Sequence, residues 1–484
     1  MCVTLARAGE AEPAETTQGL LRTDYQSIAL PGRRQIDLAS LQLLSRIGEG
    51  VYAGVGGYAP LFRGNFGGFT AFDLVLHGER QLAGPLFLDA GLGLGAGAGG
   101  NTNEQSKELT GKGRFARAYA GLGWRFDGFS AGFDYSRIGF QHGVLDHGQL
   151  DAFVSLPFRY FSLPIERAGQ QVTRGAEDLQ AGENILAQDF DRLHQIDPEG
   201  TNKSDIQLAG FQFSHFVASD QYLFMKFDIG VSGLPLYNEL LVGAGLRLAP
   251  TARTRLYAQL GLGSGGYAAD QINTGSGLLV YPKLSVEYLF TDRFGLALSG
   301  GVLMAPRGSS KNTLLGLSLN YHIRPDSKPE SEREPQAQGV RLTVFGDTQF
   351  GLRVGDSHRQ DHLVLLTTEL DTLLDGRFYI PLQGGIATNT FFSYPGYGAL
   401  LSGLGVQTRA TDAQPWQAFA QMLVGANVVG KVAKPELGLS YQMSAHLALN
   451  ARVGRTFSLD GGRRRFSSGS LGLGLSYGFA QPSW

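Results

Sequence analysis

From Ser470 to Phe479 the chain alternates: Leu471, Leu473, Leu475, Tyr477 and Phe479 take every second position, and only glycine or serine stands between them. Successive side chains of a strand project to opposite faces. The segment therefore predicts a strand with one apolar face and one face of small residues. The same pattern returns at Leu315, Leu317, Leu319, Tyr321 and Ile323, and more loosely from Ala152 to Tyr160. Upstream of each copy the likeness continues. Lys283–Phe290, a turn at Thr291-Asp292-Arg293 and Phe294–Leu298 correspond to Glu436–Met443, Ser444-Ala445-His446 and Leu447–Ala451. In the first part of the chain Tyr119–Phe126, Asp127-Gly128 and Phe129–Phe133 fill the same places. This self-similarity predicts tandem supersecondary units: residues 18–161, 206–323 and 340–484.

Turn chemistry supplies direction. Gly48-Glu49-Gly50, Ala83-Gly84-Pro85, Asp127-Gly128, Thr291-Asp292-Arg293, Asp375-Gly376 and Ser444-Ala445-His446 are tight connections rich in turn formers. Longer polar connections at 99–113, 141–148, 355–361, 390–398 and 460–469 fall between them. Short turns at one end and longer loops at the other are the habit of membrane barrels. The third unit contains eight runs, near 340–354, 362–374, 377–389, 399–409, 416–429, 435–443, 447–459 and 469–479. The first contains seven clear runs, with Gln18–Leu30 as an eighth. The second also contains seven, and its eighth would come from the polar stretch before Asp205. The expectation is an all-β, antiparallel transmembrane β-barrel of about 22 to 24 strands, closed either as one large barrel or as three tandem eight-stranded barrels.

Composition narrows the class. Glycine supplies 69 of the 484 residues, without a collagen period, and the hydrophobic share of 43% disfavours disorder. No window is apolar for the roughly 18 residues that a membrane helix needs. A closed barrel is then the remaining way across a bilayer, because every backbone amide in lipid needs an internal partner. The net charge of −2 gives no reason to expect nucleic acid as a partner. Cys2, the only cysteine, excludes an intramolecular disulfide. Residues 1–17 read as an N-terminal segment in which Ala6-Arg7-Ala8 is the remnant of a secretory signal. Residues 162–205 carry nine acidic and four basic residues and read as an acidic linker or a lumen plug; residues 324–339, with Pro325, Pro329 and Pro335, read as a linker.

The search for chemistry yields little. Gly95-Ala96-Gly97-Ala98-Gly99-Gly100 matches a dinucleotide fingerprint after a strand, but Asn101–Ser106 reads as a loop where the motif requires a helix. His358 and His362 lie four apart in what reads as a surface loop, with no third ligand for a metal. Ser214 and His215 are adjacent on a strand and so face opposite ways, which prevents a nucleophile–base hydrogen bond. The expectation is no catalytic, cofactor or metal site. Arg46, Glu287 and Arg452 fall on inward positions and are candidate lumen charges. Arg463-Arg464-Arg465 in the last long loop is a candidate contact for an anionic surface polymer.

By its closing aromatic strand, its alternation and its loop asymmetry, the chain resembles bacterial outer-membrane β-barrels over nearly its full length. That resemblance implies an outer-membrane location, contact with outer-membrane lipid and lipopolysaccharide, and delivery by the barrel-insertion machinery. It also implies that Leu473, Leu475, Tyr477 and Phe479 form the insertion signal, although Ala480–Trp484 follow the last of these. A channel or export conduit for polymer or protein, working with a periplasmic or surface export assembly, is the first functional expectation. A non-conducting scaffold that anchors such an assembly is the second, and an outer-membrane hydrolase the third.

Overall fold

Alternating strands bury nothing until their edges meet. In the computed structural model, which describes residues 15–100, 102–162, 165, 183–235, 237–267, 270–323, 336–356, 358–374, 377–408, 414–461 and 465–483, the edges meet three times. Twenty-four antiparallel strands close into three barrels of eight, each made of consecutive strands. The first closes when Glu15–Leu30 pairs with Asp146–Ser162, Leu21 opposite Leu156. The second closes when Asn184–Gln195 pairs with Lys311–His322, Phe190 opposite Leu317. In the third, Gln336–Val354 pairs with Phe466–Ser483, Val344 opposite Leu475. The upper limit of the expected strand count is met. Of the two closures that the sequence left open, the chain takes three separate barrels and not one large one.

Several expected boundaries move. Residues 15–17 begin the first strand of the first barrel, and 336–339 begin the first strand of the third. Asn184–Gln195 lies inside the stretch read as an acidic linker, yet it is the first strand of the second barrel. Its charges looked unsuited to a lipid-facing strand, but Asp189 and Asp191 lie on its inner face, where cations meet them. Residues 1–14, 163–164, 166–182 and 324–335 lie outside the described residues, as does the expected turn at Asp375-Gly376. His358 and His362 are on a strand, His358–Leu373, and not in a loop, because Val354 and Phe350 of the neighbouring strand pair with them. A helix, Asn103–Thr110, occupies part of the first expected long loop, with the Thr102 hydroxyl capping Gln105 N–H. The dinucleotide reading still fails, since the flanking strands Leu86–Ala98 and Arg114–Arg125 are antiparallel neighbours and not the parallel pair that such a motif joins.

Exterior and interior obey the alternation. Leu471, Leu473 and Leu475 are 51%, 62% and 49% exposed on the outer face, while Gly472 and Gly474 point inward among Asp347, Arg452 and Phe345. Leu94, Leu284, Leu404 and Leu437 continue this exposed apolar surface on all three barrels. A soluble protein rarely exposes so large a contiguous apolar area. Hydrocarbon is the solvent that such a surface fits.

Each barrel touches the other two. Phe72 of the first packs edge-on against Phe227 of the second at 6.1 Å. Tyr160 of the first lies 5.0 Å from Phe479 of the third, and contacts link Gln221–Ser232 of the second with Trp416–Asn427 of the third. On the long-loop side the seams are polar. Ser264 and Ser276 of the second barrel donate to Pro60 O and Leu61 O of the first at 2.6 and 2.5 Å, and Gly67 N–H donates to Gly275 O at 3.0 Å. Backbones can approach this closely because the residues are glycines. A Cβ on Gly68, which also has φ of +93°, would lie 2.8 Å from the Tyr267 backbone.

Candidate functional site

The lumens are the natural place to look for function, and their contents follow from the inward-facing rows. Glycine and large aromatic residues occupy facing inward positions on neighbouring strands: Gly91 opposite Tyr119, Gly245 opposite Tyr222, Gly405 opposite Tyr379 and Gly438 opposite Phe419. In each pair the ring lies across the glycine, so a Cβ there would come within 2.1 to 2.3 Å of the ring. The inward glycines therefore do not widen a pore. They make room for rings that fill it, as in small barrels where large and small residues alternate to fit the taper.

Charge occupies the middle of each lumen. In the first barrel Arg22 donates to Asp89 at 2.6 Å and to Asp134, with Phe153 3.9 Å beneath its guanidinium. Arg117 reaches Asp24 at 3.0 Å, Asp151 at 3.4 Å and the Tyr58 hydroxyl at 3.2 Å, and Tyr58 in turn donates to Asp73. In the second barrel Lys226 sits among Asp189, Asp191 and Asp228 at 2.7, 3.0 and 2.6 Å. Nearer its tight-turn end, His322 bridges Glu183 and Glu287 at 2.7 and 2.9 Å, and Arg247 closes on Glu183. In the third, Arg452 binds Asp347, Glu369 and Glu436 at 2.5, 2.8 and 3.5 Å, while Lys434 holds Glu436 at 2.7 Å. Ion pairs this deep persist only when the partners' geometry compensates for lost hydration.

Above this charged layer, at the long-loop mouth, each lumen is apolar. Ile28, Leu38, Phe66, Phe69, Phe140 and the helix residue Leu109 cap the first barrel. Leu193, Leu208, Leu234, Ile272 and Leu303 cap the second, and Leu352, Leu363, Tyr397, Leu401 and Phe466 the third. Beside the ion networks, one interior cavity in the second barrel and one in the third measure about 30 and 20 Å³. That is room for one or two water molecules.

Two of the three expected lumen charges, Glu287 and Arg452, lie inside, fully buried and paired. Arg46 is on the inward row but at the tight-turn mouth, exposed and bonded to Gln18 Oε1 and Gly48 O, so its parity was right and its depth was not. Leu473 and Leu475 are exposed on the outer face; Tyr477 and Phe479 are half-buried, Tyr477 against His446. Arg463 and Arg464 lie outside the described residues, and Arg465 is exposed. Ser214 points into the lumen and His215 outward to Asn184, as their adjacency requires. Sequence reasoning missed Arg22, Arg117, Lys226 and Lys434. The available signal was a charge in the middle of an inward row, repeated on several strands of one unit. Among the described residues no group of three metal-ligating side chains converges.

A closed antiparallel wall, an apolar outer belt and a filled lumen define a transmembrane β-barrel protein, here with three barrels in one chain. No protein-family model matches the sequence, and no curated protein matches it. Among solved structures the chain is similar to the ferric enterobactin receptor PfeA, with 13% identity over 97% of this chain and 82% of that one and a TM-score of 0.30. The siderophore receptor PirA from Pseudomonas aeruginosa gives 12% identity over 97% and 81%, with a TM-score of 0.28. The KdgM porin gives 11% over 60% and 98%, with a TM-score of 0.17. Similarity at this level identifies no family, and the class stands on the barrels themselves.

Proposed function

We propose that the protein is a bacterial outer-membrane scaffold whose three sealed barrels form one membrane-embedded body that anchors a surface or periplasmic assembly. The observation that carries this reading is the double closure of every lumen, apolar at the loop-side mouth and ion-paired below it. An eight-stranded wall encloses just enough space for side chains or one small ligand. The wide lumen that a polymer or protein would need goes with the single large barrel, which does not form. A gated conduit for small ions is the second reading. The polarity of the charged layer favours it, since a purely structural interior could be apolar throughout.

Planar-bilayer recording of the purified chain separates the two. The scaffold predicts a silent membrane at moderate voltage. Steady unitary conductance from the unmodified chain would overturn it in favour of the conduit. Fractionation of cells expressing the chain, with lipopolysaccharide as the outer-membrane marker, tests the location. The double variant Tyr477→Ala, Phe479→Ala, which keeps the closing strand Phe466–Ser483, should lower membrane assembly if these aromatics carry the insertion signal, and unchanged assembly would overturn that role.

A further inference from the structure

The second lumen holds an acid that its cations do not serve. Glu239, on Asn238–Leu248, is fully buried on the inward row, and neither of its carboxyl oxygens has a hydrogen-bond partner among the described residues. In the first and third barrels each acid of the ion layer meets a cation or a donating hydroxyl. Here Lys226 is taken up by Asp189, Asp191 and Asp228, and Lys283 stands 3.9 Å from Asp189. Four carboxyls thus share two ammonium groups, and Glu239 is the one left over.

Register sets Glu239 directly opposite Asp228 on one neighbouring strand and Gly265 on the other. Opposed residues of an antiparallel pair hold their Cβ atoms about 5 Å apart, so the carboxyls of Glu239 and Asp228 are neighbours. On the other side the surroundings are apolar. A Cβ on Gly265 would lie 2.7 Å from Glu239 Cβ and 2.8 Å from Leu279 Cδ1, which places the Glu239 stem across the glycine and against leucine. Leu241 and Leu279 belong to the cap above, as does Tyr237, whose buried hydroxyl stands beside Glu239 and completes no hydrogen bond. The other titratable groups of this layer are Asp189 and Asp191 from Asn184–Gln195, Lys226 from Gln221–Ser232, and Tyr281 and Lys283 from Leu278–Leu289.

We infer that the second lumen contains a binding site for one proton, shared between Glu239 and Asp228. Two adjacent carboxylates in a low-dielectric interior repel, and each gives up hydration that nothing replaces. A proton between them removes one charge and turns the repulsion into a hydrogen bond, as in paired carboxyls that cannot both ionise. Lys226, 2.6 Å from Asp228, holds that carboxyl as the acceptor, so Glu239 is the acid that donates. The bond ties Gln221–Ser232 to Asn238–Leu248 directly beneath the apolar cap, and it couples closure of this lumen to proton binding whether the chain anchors or conducts.

The test is infrared spectroscopy of the full chain in detergent micelles near neutral pH, read in the carbonyl region as the difference between wild type and variant. Wild type should show the band of a protonated carboxylic acid that Glu239→Gln lacks. Asp228→Asn should shift that band, because an amide oxygen accepts a hydrogen bond more weakly than a carboxylate. A spectrum that Glu239→Gln leaves unchanged overturns the site: Glu239 is then a carboxylate that takes its hydrogen bond from Tyr237. A band that Asp228→Asn does not move overturns the sharing. Heat-modifiable migration reports folding of each sample. Because its amide N–H mimics the protonated acid, Glu239→Gln should fold as wild type does, and a variant that fails to fold counts against the site as well.

Discussion

Replacing Arg452 with Met tests whether the ion layer holds its barrel closed. The guanidinium lies 3.6 Å over Phe345 and carries the contacts to Asp347 and Glu369, while Glu436 keeps Lys434. Methionine retains most of the stem and its packing, so the loss is chiefly electrostatic. Glu369 still accepts from Gln383 and Gln421 at 2.6 and 2.9 Å, whereas Asp347, 3% exposed, loses its only ion-pair partner among the described residues. Removing one member of a buried pair costs about 3–5 kcal/mol, or roughly two to four orders of magnitude in the folding equilibrium. Urea unfolding in detergent micelles measures it. With Trp124 and Trp484 changed to Phe, fluorescence comes from Trp416 alone, on the third barrel. The double variant Arg452→Met, Asp347→Asn should regain at least half of the loss, because the second change removes the stranded charge. A single-variant loss below about 1 kcal/mol, the scale of solvated pairs, would refute the argument and mean that water reaches the layer.

Gly405→Val should destabilise the third barrel by about 1–3 kcal/mol through overpacking against the Tyr379 ring, and Tyr379→Ala in the same chain should relieve part of the strain, both read by the Trp416 transition. Asp37 accepts backbone N–H bonds from Leu61, Phe62 and Arg63 and so holds the loop that docks on the second barrel; Asp37→Ala should speed proteolysis at 60–69 while leaving the heat-modifiable band intact. Hydrogen bonds from His194, then Arg192, hold the Asp205 carboxyl below its ordinary pKa of 3.8. Its contribution to loop order is thus present above that value and lost as pH falls through the lower folded pKa. NMR titration of the carboxyl should show this midpoint, and His194→Ala should move it upward.

The strands, their inner and outer faces and the threefold repeat were legible in the chain, because a period of two is a local property that each segment carries by itself. Glu287 and Arg452 were legible for the same reason, while Arg46 shows the limit: parity tells which way a side chain points and not how deep it lies. Asn184–Gln195 fell in the stretch read as linker, although the strand count already asked that stretch for an eighth strand, because its acids look wrong for a strand until Lys226 and Lys283 stand opposite. Closure was decided only in three dimensions. Whether Asp146–Ser162 completes its ladder with Glu15–Leu30 or with the next strand along is a choice between edges more than a hundred residues apart, and both choices satisfy the same alternation. What decides it is how the interior fills: glycine beneath each ring and a cation among each set of acids fit a wall of eight strands, and they would leave a wall of 24 hollow.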